Sequence, residues 1–246
     1  MTDAAVERSA LVIAPHPDDE TLGCGALVLR KRKAGVPVTV LMVTDGAHSH
    51  ASSSLTPEQL AEVRRGELCE AAGRLGLELA SLHWAGIEDG TVEAHEGELL
   101  ATICTLLEES GAAEIYATSA LEHHPDHAAV GRAARAAALA RGAELYEYPI
   151  WLWNSWPLRR PHRLRSLLAA LAAVLGRRAV TVSTSGFRAA KLHALEAHAS
   201  QLRRPPHVPS DEPWTVLPGW VLDAAADSVE LFFPVTRGPS LRRFSP

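Results

Sequence analysis

Two short clusters of imidazole and carboxylate side chains have the types and spacing to do chemistry. The first, in APHPDDETLGCG, holds His16, Asp18, Asp19 and Glu20; the second, in EHHPDH, holds His123, His124, Asp126 and His127. A hydrolytic zinc centre needs three protein ligands of nitrogen or oxygen type and one position open to water. His16 and Asp19, three apart in a tight turn, suit one shared ion, and His127 completes a set of two imidazoles and one carboxylate. The same donors also suit iron(II). Asp18, beside a ligand but directed elsewhere, is left free as the base towards a water whose pKa zinc lowers to about 7. His124, three residues before His127, is placed to stabilise an oxyanion or to protonate a departing amine. Asp126 suits a carboxylate that holds one of these imidazoles in its working tautomer.

Each residue alone has a plainer reading. A carboxylate at a strand end often caps the next helix, which would explain Asp18 or Asp19 without any metal. A lone His124 or His127 reads as a solvated or structurally bonded histidine. The two clusters become hard to dismiss when the elements around them are considered.

Both follow a β-branched or apolar run and precede a helical pattern. Strands are expected at Ala10–Ala14, Val38–Thr44, Ala80–Trp84 (weaker), Glu114–Thr118 and Leu145–Tyr148, with helices at Thr21–Ala34, Pro57–Leu75, Glu96–Glu109 and His127–Arg141. This alternation implies right-handed crossovers and an α/β, Rossmann-like, mainly parallel sheet with helices on both faces. In such a sheet ligands bind outside the carboxyl ends of the strands, where strand order reverses. The order 3-2-1-4-5 makes the first and fourth strands neighbours, so the clusters face each other across one crevice.

Composition is that of a soluble globular enzyme, with 47% apolar and 22% charged residues. A net charge of −5 gives no whole-molecule attraction to nucleic acid or an anionic membrane. The first residues read as lacking a signal peptide, and no apolar run approaches the ~20 residues of a membrane span. Cys24, Cys69 and Cys104 include no CxxC pair and read as buried thiols, which points to the cytoplasm. Residues 1–246 read as a single domain, with a core at about 9–150 and a smaller C-terminal α/β extension at about 151–246 that carries specificity. There Trp151, Trp153 and Trp156 precede the arginine-bracketed run RLRSLLAALAAVLGRR, a lid over a sugar, a weak surface contact for a lipid-bearing or anionic substrate, or an ordinary packed helix. A helix over Gly186–Leu202 and a late strand at Val229–Phe233 follow. Oligomeric state is not legible.

APHPDDETLGCG with the later HPDH resembles the PIG-L/LmbE family of zinc-dependent N-acetylglucosamine deacetylases, whose substrates carry GlcNAc on inositol, phosphatidylinositol, malate or glycopeptides. VRRGELCEAAGRLG, IEDG and KLHALEAHASQ extend the likeness over most of the chain. The resemblance implies zinc on His16, Asp19 and His127, Asp18 as base and His124 as assisting electrophile. It also implies substrate contacts from Arg64, Asp89 and His198, and draws in Lys191, Ser200 and Gln201. The Trp- and Arg-rich segment matches no acceptor pattern, so the group attached to the sugar stays open. Without the resemblance, Arg64 reads equally as a paired helix residue, Asp89 as a turn residue before Gly90, and His198 as a packed histidine. Asp45, His48 and His50 stand at the next strand end, as pocket wall or solvated loop; Glu20 and His123 read as neighbours of the site.

The expected function is removal of an acetyl group from the amide nitrogen of a GlcNAc-type conjugate, a small-molecule partner. The alternatives are an amidase acting on a larger acyl or thiol-conjugate amide, and a metal- or nucleotide-binding module without turnover. Against nucleotide binding, no GxGxxG follows the first strand.

Overall fold

A computed structural model describes residues 7–50, 53–152, 179–206 and 208–235. Strands β1 (Ala10–Ala14), β2 (Val38–Met42), β3 (Leu82–Trp84), β4 (Glu114–Thr118), β5 (Glu144–Tyr148), β6 (Val180–Ser183) and β7 (Val229–Val235) form one sheet in the order β3-β2-β1-β4-β5-β7-β6. The first five are parallel in the expected order; β7 pairs antiparallel with β5 and with β6. Side-chain alternation along β1 sends Ala10 and Val12 to one core cluster and Leu11 and Ile13 to another, and all four are buried. A strand buried on both faces must be continuously apolar, which is why ALVIA was legible.

Helices α1 (Asp19–Lys33) and α2 (Pro57–Arg74) cover one face, and α3 (Glu96–Ser110) and α4 (Pro125–Arg141) the other. Both site-bearing helices begin two residues earlier than expected. Pro125 supplies the fixed φ suited to a first helical position, and Asp19 and Glu20 are acids in a first turn. The expected helix over Gly186–Leu202 is instead two, α5 (Arg188–Leu195) and α6 (Ala199–Leu202). Gly186 takes a left-handed φ of 78°, so the helix starts after it, and the break turns His198 into the interior. A further short helix, α7 (Gly219–Ala225), and β6 were not expected. The expected run RLRSLLAALAAVLGRR lies outside the described residues, as do Trp153 and Trp156.

A buried ion pair is set into α1. Glu230 of β7 accepts from the backbone N–H groups of Ala26 and Leu27 (2.7 and 2.8 Å), and Lys191 of α5 donates to the carbonyl of Leu22 (2.9 Å). The two side chains meet at 2.8 Å, each 1% exposed. Charged groups thus engage both ends of the Leu22–Ala26 helical rung. Among the described residues no helix is long and apolar enough to cross a membrane.

Candidate active site

Beyond β1 the chain turns sharply. His16 donates its backbone N–H to Asp19 Oδ2 (3.1 Å), and Asp19 N–H returns to the His16 carbonyl (3.2 Å), so both side chains face the same side. Asp18 between them has φ 133° and ψ −31°, the one non-glycine with positive φ among the described residues. Such a conformation costs ~1–3 kcal/mol and needs support. Glu20 supplies it: one carboxylate oxygen accepts from Asp18 N–H (3.0 Å), the other from the Thr21 hydroxyl (2.6 Å), and His198 Nε2 lies 3.1 Å away. Asp18 occupies the N-cap position of α1, but its side chain makes no capping bond. That removes the capping explanation. Its Oδ2 lies 3.4 Å from Arg64 Nη2 instead.

The second cluster enters from β4. His124 stands at the N-cap of α4 without a side-chain cap, and Asp126 and His127 occupy the first turn. The Thr118 hydroxyl donates to the His127 carbonyl (2.9 Å), tying the turn to the strand. Gly131 lets α4 lie against the backbone of Thr118 and Ala120, where a Cβ would collide with both.

Across the β1/β4 crevice three atoms converge. His16 Nδ1 lies 3.2 Å from His127 Nε2 and 3.4 Å from Asp19 Oδ2, and the last two are 3.2 Å apart. Ligands held tetrahedrally at about 2.0–2.1 Å from one ion are separated by about 3.3–3.4 Å, so this near-equilateral triangle has the size of a zinc face. The far side of His16 is equally defined: Nε2 is 3.1 Å from Asp89 Oδ1 and 3.4 Å from Asp126 Oδ2. Asp126 also accepts from the N–H groups of Gly90 (2.8 Å) and Val92 (3.2 Å). The imidazole that Asp126 meets is therefore His16, whereas His124 Nδ1 is buried without a partner among the described residues.

These groups perturb one another. Burial pushes the Asp18 carboxyl up to about 7, against the pull of Arg64 and with the push of Asp19. Burial would raise Asp19 too, but the imidazoles of His127 and His16 hold it below the ordinary range. Burial opposes a charge on His16, yet Asp126, Asp19 and Asp89 together raise it well above its ordinary value. Burial and the neighbouring His16 drive His127 down to about 3, although Asp19 pulls the other way. The metal-free site thus favours a proton on His16 and a bare nitrogen on His127. A divalent cation in the triangle would displace that proton.

A cavity of about 440 Å³ opens over the triangle. It is lined by His16, Asp18, Asp19, Arg64, Asp89, His124 and His127, together with His48, His50, Ile150, Trp151, Gln201 and residues 215–218. Arg64 reaches it with a side chain only 2% exposed. Its guanidinium donates to the carbonyls of Pro17 (2.6 Å) and Gly46 (3.2 Å), and glycine at 46 leaves the room it occupies. Asp89 faces the cavity while also accepting from His48 N–H (2.9 Å). The expectation that His198 contacts substrate is corrected. Its side chain is 0% exposed and turned onto Glu20, beneath the cavity rather than in it. Asp45 and His123 do not line the cavity.

Sequence reading missed the segment Thr215–Pro218, which bridges the mouth from His50, and Glu122, which accepts from Ile150 N–H (2.6 Å) and fixes the wall after β5. No motif marks either. The pairing of Ser200 with Glu67 of α2 was equally silent.

Comparison with known proteins places this geometry. The PIG-L family, described as GlcNAc-PI de-N-acetylase, matches residues 11–138. A Bacillus cereus protein named probable N-acetyl-alpha-D-glucosaminyl L-malate deacetylase 2 is 31% identical over 208 residues, which cover 80% of this chain and 84% of that one. Among solved structures, the zinc inhibited form of teicoplanin deacetylase superposes with a TM-score of 0.69 at 18% identity, covering 94% of this chain and 99% of the other. N,N'-diacetylchitobiose deacetylase from Pyrococcus horikoshii, complexed with its inhibitor, gives 0.61 at 22%, covering 80% and 71%. These likenesses establish the fold, while the matches in sequence carry further: the chain belongs to the PIG-L family of GlcNAc-type deacetylases.

Proposed function

We propose that this protein is a zinc-dependent hydrolase that removes the acetyl group from the amide nitrogen of a GlcNAc-type conjugate. The observation carrying this reading is the triangle of His16, Asp19 and His127, sized for one ion and set beside a buried carboxyl, that of Asp18, which is not part of it. A zinc ion there supplies a Lewis acid and lowers the pKa of water. His16 with Nδ1, His127 with Nε2 and Asp19 with Oδ2 are the groups that would hold the ion. Asp89 and Asp126 hold the proton of His16 on Nε2, leaving the Nδ1 lone pair for the metal. Asp18 takes the proton of the attacking water, its carboxylate oriented by Arg64 and its backbone by Glu20. His124 donates to the oxygen of the acetamide carbonyl as negative charge develops there. Arg64 and Asp89 border the position of the sugar. Iron(II) is the competing metal for the same donors.

We also read residues 1–246 as one domain, because β7, late in the sequence, closes against β5 in the same sheet.

The test is direct. Purified protein should carry one zinc per chain by elemental analysis and release acetate from GlcNAc conjugates. Asp18→Asn should keep the zinc and lose about 10²- to 10⁴-fold in kcat. Full activity in that variant would sink the assignment of the base, and turnover confined to bulkier amides would favour the amidase reading.

A further inference from the structure

The cavity changes character along the strand order. Past β2 its wall is polar, formed by His48, Ser49 and His50; past β1 and β4 lie the carboxylates and imidazoles of the triangle; past β5 come Ile150 and Trp151. Leu22 of α1 faces in beside them. The segment over the mouth follows the same gradient. Thr215 offers its carbonyl to His50 on the polar side, and Val216, Leu217 and Pro218 lead towards Trp220, whose ring meets that of Trp151 edge-on at 5.8 Å.

This apolar corner is built rather than incidental. Glu122 fixes Ile150 by its backbone, and Leu217 N–H donates to the Gln201 carbonyl (2.8 Å). Val216 nevertheless stays 40% exposed at the cavity, a large aliphatic side chain left without cover. The electrostatics point the same way. Arg64 is the one lysine or arginine among the described lining residues, and its two terminal nitrogens are engaged by two carbonyls and Asp18. Asp18, Asp19 and Asp89 face the same space. Among the described residues a dicarboxylate aglycone would meet three carboxylates and one guanidinium already paired with Asp18, and a polyol would leave its hydroxyls against hydrocarbon.

We propose that the substrate's acetamido sugar carries an uncharged apolar aglycone, which packs into the corner formed by Ile150, Trp151, Val216 and Leu217. This rests on the deacetylase reading and adds the chemical class of the group attached to the sugar. It departs from the malate named for the Bacillus cereus relative. Such an aglycone contributes affinity in proportion to the apolar area it buries, and the sugar remains positioned by the polar half.

Zinc-loaded full-length protein would be assayed for acetate release from the methyl, phenyl, L-malyl and myo-inosityl N-acetyl-α-D-glucosaminides. The phenyl glycoside should exceed the other three in kcat/KM by roughly ten-fold or more, and Val216→Glu should collapse its advantage over the methyl glycoside. Calorimetry with the deacetylated products gives a readout independent of turnover, phenyl glucosaminide binding roughly ten-fold more tightly than glucosaminyl-malate. A malyl or inosityl conjugate equal to or better than the phenyl one overturns the apolar aglycone and leaves the deacetylase standing. No acetate from any of the four overturns the deacetylase reading and this inference with it.

Discussion

Asp89 and Asp126 converge on the same nitrogen of His16, and what they do there is separable from binding the ion itself. With Asp126→Asn the anchoring charge is lost, and only one of the Gly90 and Val92 N–H groups keeps an acceptor, because the two bond different carboxylate oxygens. Zinc affinity should fall about 10- to 100-fold in competition with a chelator, beside a modest drop in the thermal midpoint of the metal-free protein from the one N–H left unpaired. Glu20 and His198 act one step further away. His198→Leu leaves Glu20 without its buried partner beneath a strained backbone, so kcat should fall more than KM rises, whereas His198→Gln, which keeps an N–H, should recover part of the loss. The motif residues were legible because strand-end His and Asp at these spacings have few other uses. His198 was misread because its direction depends on a helix break, and no residue near it announces one. Arg64 was legible as a site residue, but not its use: it donates to the carbonyl of Pro17, in the turn after β1, and to that of Gly46, in the loop after β2.

At the scale of elements, the loops between them decide more than their interiors. Glu122, between β4 and α4, is buried, and burial pushes its carboxyl up to about 8, against the N–H of Ile150. Unfolding returns it to the ordinary range near 4.5. Between those two pH values the folded chain holds a proton that the unfolded chain has released, so stability declines as pH rises through this window. Glu122→Gln should therefore flatten the pH dependence of the urea midpoint between about pH 5 and pH 8, a comparison of variant with parent that cancels other groups. An unchanged slope would show that Glu122 does not carry it. The long elements were legible, α2 to within one residue of its expected bounds, and the structure adds that Thr56 caps it together with Gln59. β6 and α7 were not, being four and seven residues long with no capping signal. The early starts of α1 and α4 show why boundaries elude a sequence: the residues that do the chemistry are themselves the first helical turn.

For the whole molecule, the order 3-2-1-4-5, one of several that right-handed crossovers allow, is the expected one that the sheet adopts, and it brings the two motifs together. The antiparallel end of the sheet did not follow, since no local pattern tells a returning strand which edge to join. That end matters through Lys191 and Glu230, which leave the C-terminal part of the chain to complete a rung of α1. Glu230→Gln should cost about 3–5 kcal/mol in denaturant unfolding, because it strands a buried lysine. Synthesis runs from the first residue to the last. The turn at His16–Asp19 thus emerges well before residue 230, whose carboxylate accepts from two inner N–H groups of the helix that the turn opens. A chain stopped short of that residue has all three members of the triangle but not the buried pair set into α1. The frame around the first turn is thus finished by side chains that are made long after it.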